Sequence, residues 1–187
     1  MRKVVLAALV LVLAATAPVD AALQGERFVA NAMSLGTVSG TFRIEFTIER
    51  WSTDEERAQF LNILVEGGQE ALGNAMHQAG ADREIGFVRV NARLSYPIAY
   101  AYQFPDGEGG RRVVIATDRP IDALEAIAGS RTLDYSISVA ELQLDADSRG
   151  EGALMVAAAI AADTERGTLT LENFGQAPVR LRSVRPD

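Results

Sequence analysis

The chain has 187 residues, a formal net charge of −7 and no cysteine. The missing cysteine excludes disulfides, thiol nucleophiles and thiolate-held zinc or iron, so stability must come from packing. The acidic balance disfavours nucleic acid and anionic lipid as partners.

Residues 1–21 read as a secretory signal peptide. Arg2 and Lys3 form a cationic start, Val4 to Thr16 an apolar run, and Ala17 to Ala22 a small-residue end. Val19 and Ala21 suit the −3 and −1 positions, which places cleavage after Ala21. The run is shorter than the roughly 20 apolar residues a spanning helix needs. Cleavage would remove Arg2, Lys3 and Asp20, leaving 16 cations against 24 anions, a net of −8, with arginine the one cationic residue type left. A lysine base or Schiff-base lysine is then excluded. Residues 22–187 suit a single domain, periplasmic or secreted, with no membrane span after cleavage.

Gln24 to Ser39 holds a leader or short first strand. From Thr41 to Trp51, Phe42, Ile44, Phe46 and Ile48 alternate with polar residues, the period of a half-buried strand. Ser52 or Thr53 can cap a following helix, with Glu55 or Glu56 at capping-box spacing. Phe60, Leu61 and Leu64 give it an apolar stripe, Gly67–Gly68 break or kink it, and Gly80 is the expected C-cap. Glu84–Asn91 and Ser95–Phe104 are strands, then a Pro105–Gly110 turn and a strand over Arg111–Thr117. Pro120–Ala128 reads as a short helix. Leu133–Asp145 is a long strand whose alternation slips near Ala140, which predicts a bulge there. Asp147–Gly152 is a polar turn and Ala153–Ala162 a small-residue strand. Thr168–Phe174 and Val179–Arg185 read as a final strand pair.

This order gives an α+β domain. A mainly antiparallel curved sheet or partly open β-barrel of about eight strands carries two to three helices packed on one side. A two-sheet sandwich is the second architecture.

The chemistry-bearing residues do not assemble a motif. His77 is the single histidine, so a Ser-His-Asp site would have to run through it, and no Gly-x-Ser-x-Gly elbow occurs. Asp145, Asp147 and Gly150 echo a calcium loop, but Arg149 and Val156 stand where oxygen ligands belong. Asp118 suits a helix cap beside Thr117 and Arg119, and Glu141 is a charge within a strand. No phosphate loop or dinucleotide fingerprint occurs, and the basic residues are scattered along the chain. The best ligand-site candidates are Tyr96, Tyr100, Tyr102 and Phe104. Placed on one strand face with Ile98, they offer apolar area and hydroxyl handles, although a core role explains the same spacing. Pro97, on the other parity, points to an edge or a bulge.

The blocks Phe46–Arg57, Ile115–Ile121, Glu141–Asp145 and Leu171–Phe174 resemble a group of exported bacterial proteins of no known activity. The resemblance implies a bacterial envelope or secreted setting and carries no ligand or catalytic residue. The expectation is an exported, non-catalytic protein without cofactor or metal, binding a small, partly apolar molecule between the sheet and the Ser52–Gly80 helices. An envelope protein-interaction or structural module is the alternative, and a carboxylate hydrolase using Asp118, Glu141 or His77 the third reading.

Overall fold

The computed structural model describes residues 25–33, 41–81, 85–106, 109–121, 137–156, 158–163, 168–173 and 178–187. The proposed signal segment and positions 122–128 of the expected second helix lie outside them.

Eight strands close into an antiparallel barrel. They are β1 (Glu26–Met33), β2 (Thr41–Ile48), β3 (Gly86–Val90), β4 (Leu94–Pro105), β5 (Arg111–Thr117), β6 (Val139–Leu144), β7 (Gly150–Met155) and, after two further strands, β10 (Val179–Pro186). The order around the wall is β1-β10-β7-β6-β5-β4-β3-β2. The first strand pairs with the last through Val29↔Arg185 and Met33↔Arg180, and with β2 from Glu26↔Ile48 to Met33↔Thr41. Closure leaves no free edge in this sheet, the usual remedy for strand-edge aggregation. The barrel is therefore closed rather than partly open.

The alternation of β2 does what its period dictates. Ile44, Phe46 and Ile48 enter the barrel, each at most 1% exposed. Phe28, Trp51, Val88, Ile98, Val113, Ile115, Leu142 and Leu181 meet them there. Eight strands give a lumen just wide enough for side chains to fill, so the interior is a packed core.

The last third of the chain departs from the sequence reading. The small-residue strand at Ala153–Ala162 is two strands, because the chain leaves the barrel after Met155. β8 (Ala158–Asp163) then pairs with β9 (Thr168–Asn173) as a separate two-stranded sheet. β9 and β10 are not partners. β10 instead lies between β1 and β7. The bulge expected near Ala140 is absent, since Ala140 pairs in unbroken register with Ile115 and Leu154. The apparent slip in alternation is a change of the buried face. Ile137 and Val139 pack outside the barrel, Leu142 and Leu144 inside.

One helix is described, α1 (Asp54–Ala81), with its regular geometry broken at Gly68. Its start is a capping box: Glu56 N–H donates to Thr53 Oγ1 at 3.2 Å, and Thr53 N–H to Glu56 Oε2 at 2.8 Å. Asp54, Glu55 and Glu56 complement the positive end of the helix dipole. Leu64, Leu72 and Met76 pack onto Ala99, Ala116, Val139, Met155 and Ile160, forming a second core on the outside of the wall. Each such leucine contributes about 1.5–3 kcal/mol by burial. No described helix is long and apolar enough to cross a membrane.

Candidate functional site

The tyrosine strand turns over halfway. In β4 the register against β5 runs Ile98↔Thr117 and then Tyr100↔Ala116, so Ala99 is an extra residue, a bulge. It follows Pro97, as the proline suggested. A one-residue insertion exchanges the two faces of a strand. Tyr96 and Ile98 therefore point into the barrel with Ala101, whereas Tyr100 packs outside it with α1. The four candidate residues do not share a face: Tyr96 is a core residue 6% exposed, and Tyr100, Tyr102 and Phe104 follow one another on the outer wall.

There they form an aromatic ladder. Tyr100 and Tyr102 stack with centroids 6.2 Å apart and planes 6° from parallel, and Tyr102 meets Phe104 at 4.9 Å. Phe60 of α1 abuts Tyr100 edge-on at 6.1 Å. The Arg57 guanidinium lies 5.5 Å from the ring centres of both Tyr102 and Phe104, and Arg112 lies 4.7 Å from that of Phe104. Tyr102 donates its hydroxyl to Asp54 at 2.5 Å, which raises its pKa because the hydrogen bond favours the phenol. Burial drives the Tyr100 phenol well above the usual range, against the opposing pull of Arg57.

A cleft of about 370 Å³ is lined by Glu56, Gln59, Phe60 and Ile63 from the first limb of α1 and by Ala75, Gln78 and Ala79 from the second. On a straight helix Glu56 and Ala79 would stand about 35 Å apart. They line one cleft because the chain turns back at Gly68, whose φ of 70° and ψ of −168° suit glycine almost alone.

Three polar attachments hold the folded helix to its support. At its start, Ser52 exchanges hydrogen bonds with the Ala101 backbone, N–H to O at 2.8 Å and N–H to Oγ at 3.1 Å. At the turn, the Gln69 side-chain amide donates to Ala158 O at 2.7 Å and accepts from Ile160 N–H at 3.0 Å, bonding β8 as a neighbouring strand would. At its end, His77 Nδ1 lies 3.6 Å from Asp118 Oδ2. The Asp118 side chain has no solvent exposure and accepts two bonds from Arg119, at 2.9 and 2.5 Å.

The remaining candidates take structural places. The structure joins Asp118 to His77 but leaves Glu141 apart, hydrogen-bonded to Gln143 on β6. Asp145 forms a tight turn, its Oδ1 accepting from the N–H groups of Asp147 and Arg149 at 2.9 Å each. The calcium-like spacing is thus the signature of that turn, and no cluster of three or more metal-ligating residues occurs among the described residues. Sequence reading missed Gln59, Ile63, Ala75, Gln78 and Ala79. Their only signal is a second helical stripe beside the core stripe of Leu64, Leu72 and Met76.

The chain matches no family model, no curated protein and no solved structure.

Proposed function

We propose that this protein is an exported, non-catalytic binding protein that holds a small, partly apolar ligand between the two limbs of α1. The cleft carries the reading. Its volume of about 370 Å³ falls within the span of small-molecule sites, roughly 300–1,000 Å³. Phe60, Ile63, Ala75 and Ala79 supply apolar surface, while Glu56, Gln59 and Gln78 supply polar groups to orient a ligand. Phe60 also rests on the Tyr100 ring, so the floor is braced by the aromatic ladder. The filled barrel leaves the helical cleft as the better site. Export to the periplasm or beyond is supported by the pattern of residues 1–21.

The test uses anilinonaphthalene sulfonate as a probe, with native mass spectrometry of the protein purified from its own host. The unaltered protein is expected to enhance the probe's fluorescence saturably. Ala75→Trp, which fills the cleft from an exchangeable helix position, is expected to weaken binding about tenfold while the circular dichroism spectrum stays unchanged. Equal binding by the folded variant would refute the site.

A further inference from the structure

We infer that the outer wall over β10, β1, β2 and β3 is a docking surface for an acidic polypeptide carrying apolar residues. This surface is separate from the helical cleft. In the barrel order β5 lies diametrically opposite β1, so α1, packed on β4 and the outer faces of β5–β7, covers the wall on the far side.

The strand parities bring arginines together that the sequence scatters. Phe28, Ala30 and Ala32 face the core, so Arg27, Val29, Asn31 and Met33 take the outward parity, where Arg27, Asn31 and Met33 are exposed and Val29 is covered. The same alternation turns Arg43 and Glu45 of β2, Arg89 of β3, and Arg180, Arg182 and Arg185 of β10 to the outside. The register sets them in rows across the wall: Arg182 opposite Asn31 opposite Arg43, and Arg185, Val29, Glu45 and Arg89 in line. With neighbouring strands about 4.8 Å apart and alternate residues on one strand about 7 Å apart, Arg180 and Arg182 are neighbours on β10, Arg43 stands about 10 Å from Arg182 across β1, and Arg89 about 14 Å from Arg185.

Counter-charge on these four strands comes from Glu45 and Asp187, and the exposed Glu151 of the adjacent β7 continues the row beyond Arg182 with no ion pair among the described residues. Glu45 and Asp187 both serve Arg43, at 2.7 and 3.1 Å. Arg27, Arg180 and Arg182 are exposed and have no side-chain hydrogen bond or ion pair among the described residues. On a chain whose net charge is −7, six outward arginines on four adjacent strands make a strongly polarised molecule. A guanidinium fork binds a carboxylate through two parallel hydrogen bonds.

Three observations choose a polypeptide over other polyanions. Met33 opens onto this wall opposite Arg180, 37% exposed, an apolar contact that a carbohydrate polyanion cannot use. Among the described residues the wall offers no open aromatic platform for bases, since Arg89 lies over the Phe87 ring at 4.8 Å. It is also the convex outside of a barrel, which meets a flat bilayer along a narrow line. The acidic remainder of the molecule repels a long polyanion more than a short acidic segment.

Fluorescence anisotropy with a fluorescein-labelled random copolymer of glutamate and tyrosine tests this directly. The purified full-length protein is expected to bind it, more weakly as salt rises. The R27Q/R180Q/R182Q variant is expected to lose at least about tenfold in affinity, while R112Q on the opposite wall stays within about twofold. If the triple variant unfolds, R182Q alone is expected to lose at least about threefold. The inference is overturned if the copolymer does not bind, if the folded variants bind as the unaltered protein does, or if polygalacturonate, phosphatidylglycerol vesicles or a thymidine oligonucleotide binds more tightly than the copolymer.

Discussion

Asp118 is a carboxylate with no solvent exposure, set beside the C-terminal turn of α1, where the helix dipole presents its negative end. Such a charge is tolerable only when paired, and the neighbouring Arg119 supplies the pairing through two hydrogen bonds, with the His77 ring of α1 3.6 Å away. Gly80 makes the approach possible, because a Cβ there would sit 2.4 Å from Asp118 Cβ. Two effects compete in Gly80→Ala. Helix propensity favours alanine by about 1 kcal/mol. Overpacking against a buried, hydrogen-bonded carboxylate costs about 1–3 kcal/mol and disturbs its pairing. Steric cost wins, and urea denaturation is expected to show a net loss of about 1–2 kcal/mol; a more stable variant would mean that Asp118 gives way freely. In the sequence, Asp118 reads as a cap for the segment after Pro120 and Gly80 as the cap of its own helix. Their contact is invisible there because it joins residues almost forty positions apart.

At the scale of elements, local signals were legible where one face is buried and the other wet. The strand at Thr41–Ile48, the Thr53–Glu56 capping box and the break at Gly67–Gly68 all follow from short-range chemistry. Legibility fails where both faces are buried. β4 and β6 each have core inside the barrel and core beneath α1, so their apolar residues fall on both parities. The sequence then suggests a bulge at Ala140 that is absent and a continuous tyrosine face that the real bulge at Ala99 interrupts. The cleft was hidden for a related reason: the Gly68 break is visible, but its direction is not. Gly68→Ala isolates that turn. Nothing lies within 4 Å of the added Cβ, so the cost is conformational alone. Loss of about 1–3 kcal/mol is expected in denaturant titration. The same variant should bind anilinonaphthalene sulfonate more weakly, because the two limbs no longer meet at the same angle. Unchanged stability would show that the turn is relaxed for any residue.

For the whole molecule, the barrel wall is shared between two cores, one inside it and one between its outer face and α1. The sequence conveyed the α+β class, antiparallel pairing and a barrel of about eight strands, since these follow from periodicity and turn length. Closure and the detached β8–β9 sheet depend on partners distant in the chain: β10 reaches β1, and β8 is met by Gln69. The two cores respond differently to alkali. Tyr100 belongs to the outer core, and burial raises its pKa above the ordinary value near 10. A group whose folded pKa is raised contributes its full stabilisation below the unfolded pKa. That contribution declines as pH rises above about 10 toward the folded value, because the unfolded chain ionises first. Tyr102 is raised as well, chiefly by its hydrogen bond to Asp54, and acts in the same direction. Tyr96 lies in the barrel interior, where the closed wall of eight strands holds it. Loosening above pH 10 is therefore expected to begin at α1. Hydrogen exchange, corrected for the intrinsic rate at each pH, should show the amides of Gln69–Ala81 losing protection before those of β2 and β6. Tyr100→Phe removes the ionising hydroxyl and keeps the ring, so it should shift that loss to higher pH. Simultaneous loss in helix and barrel, unaffected by Tyr100→Phe, would mean that the two cores unfold as one unit.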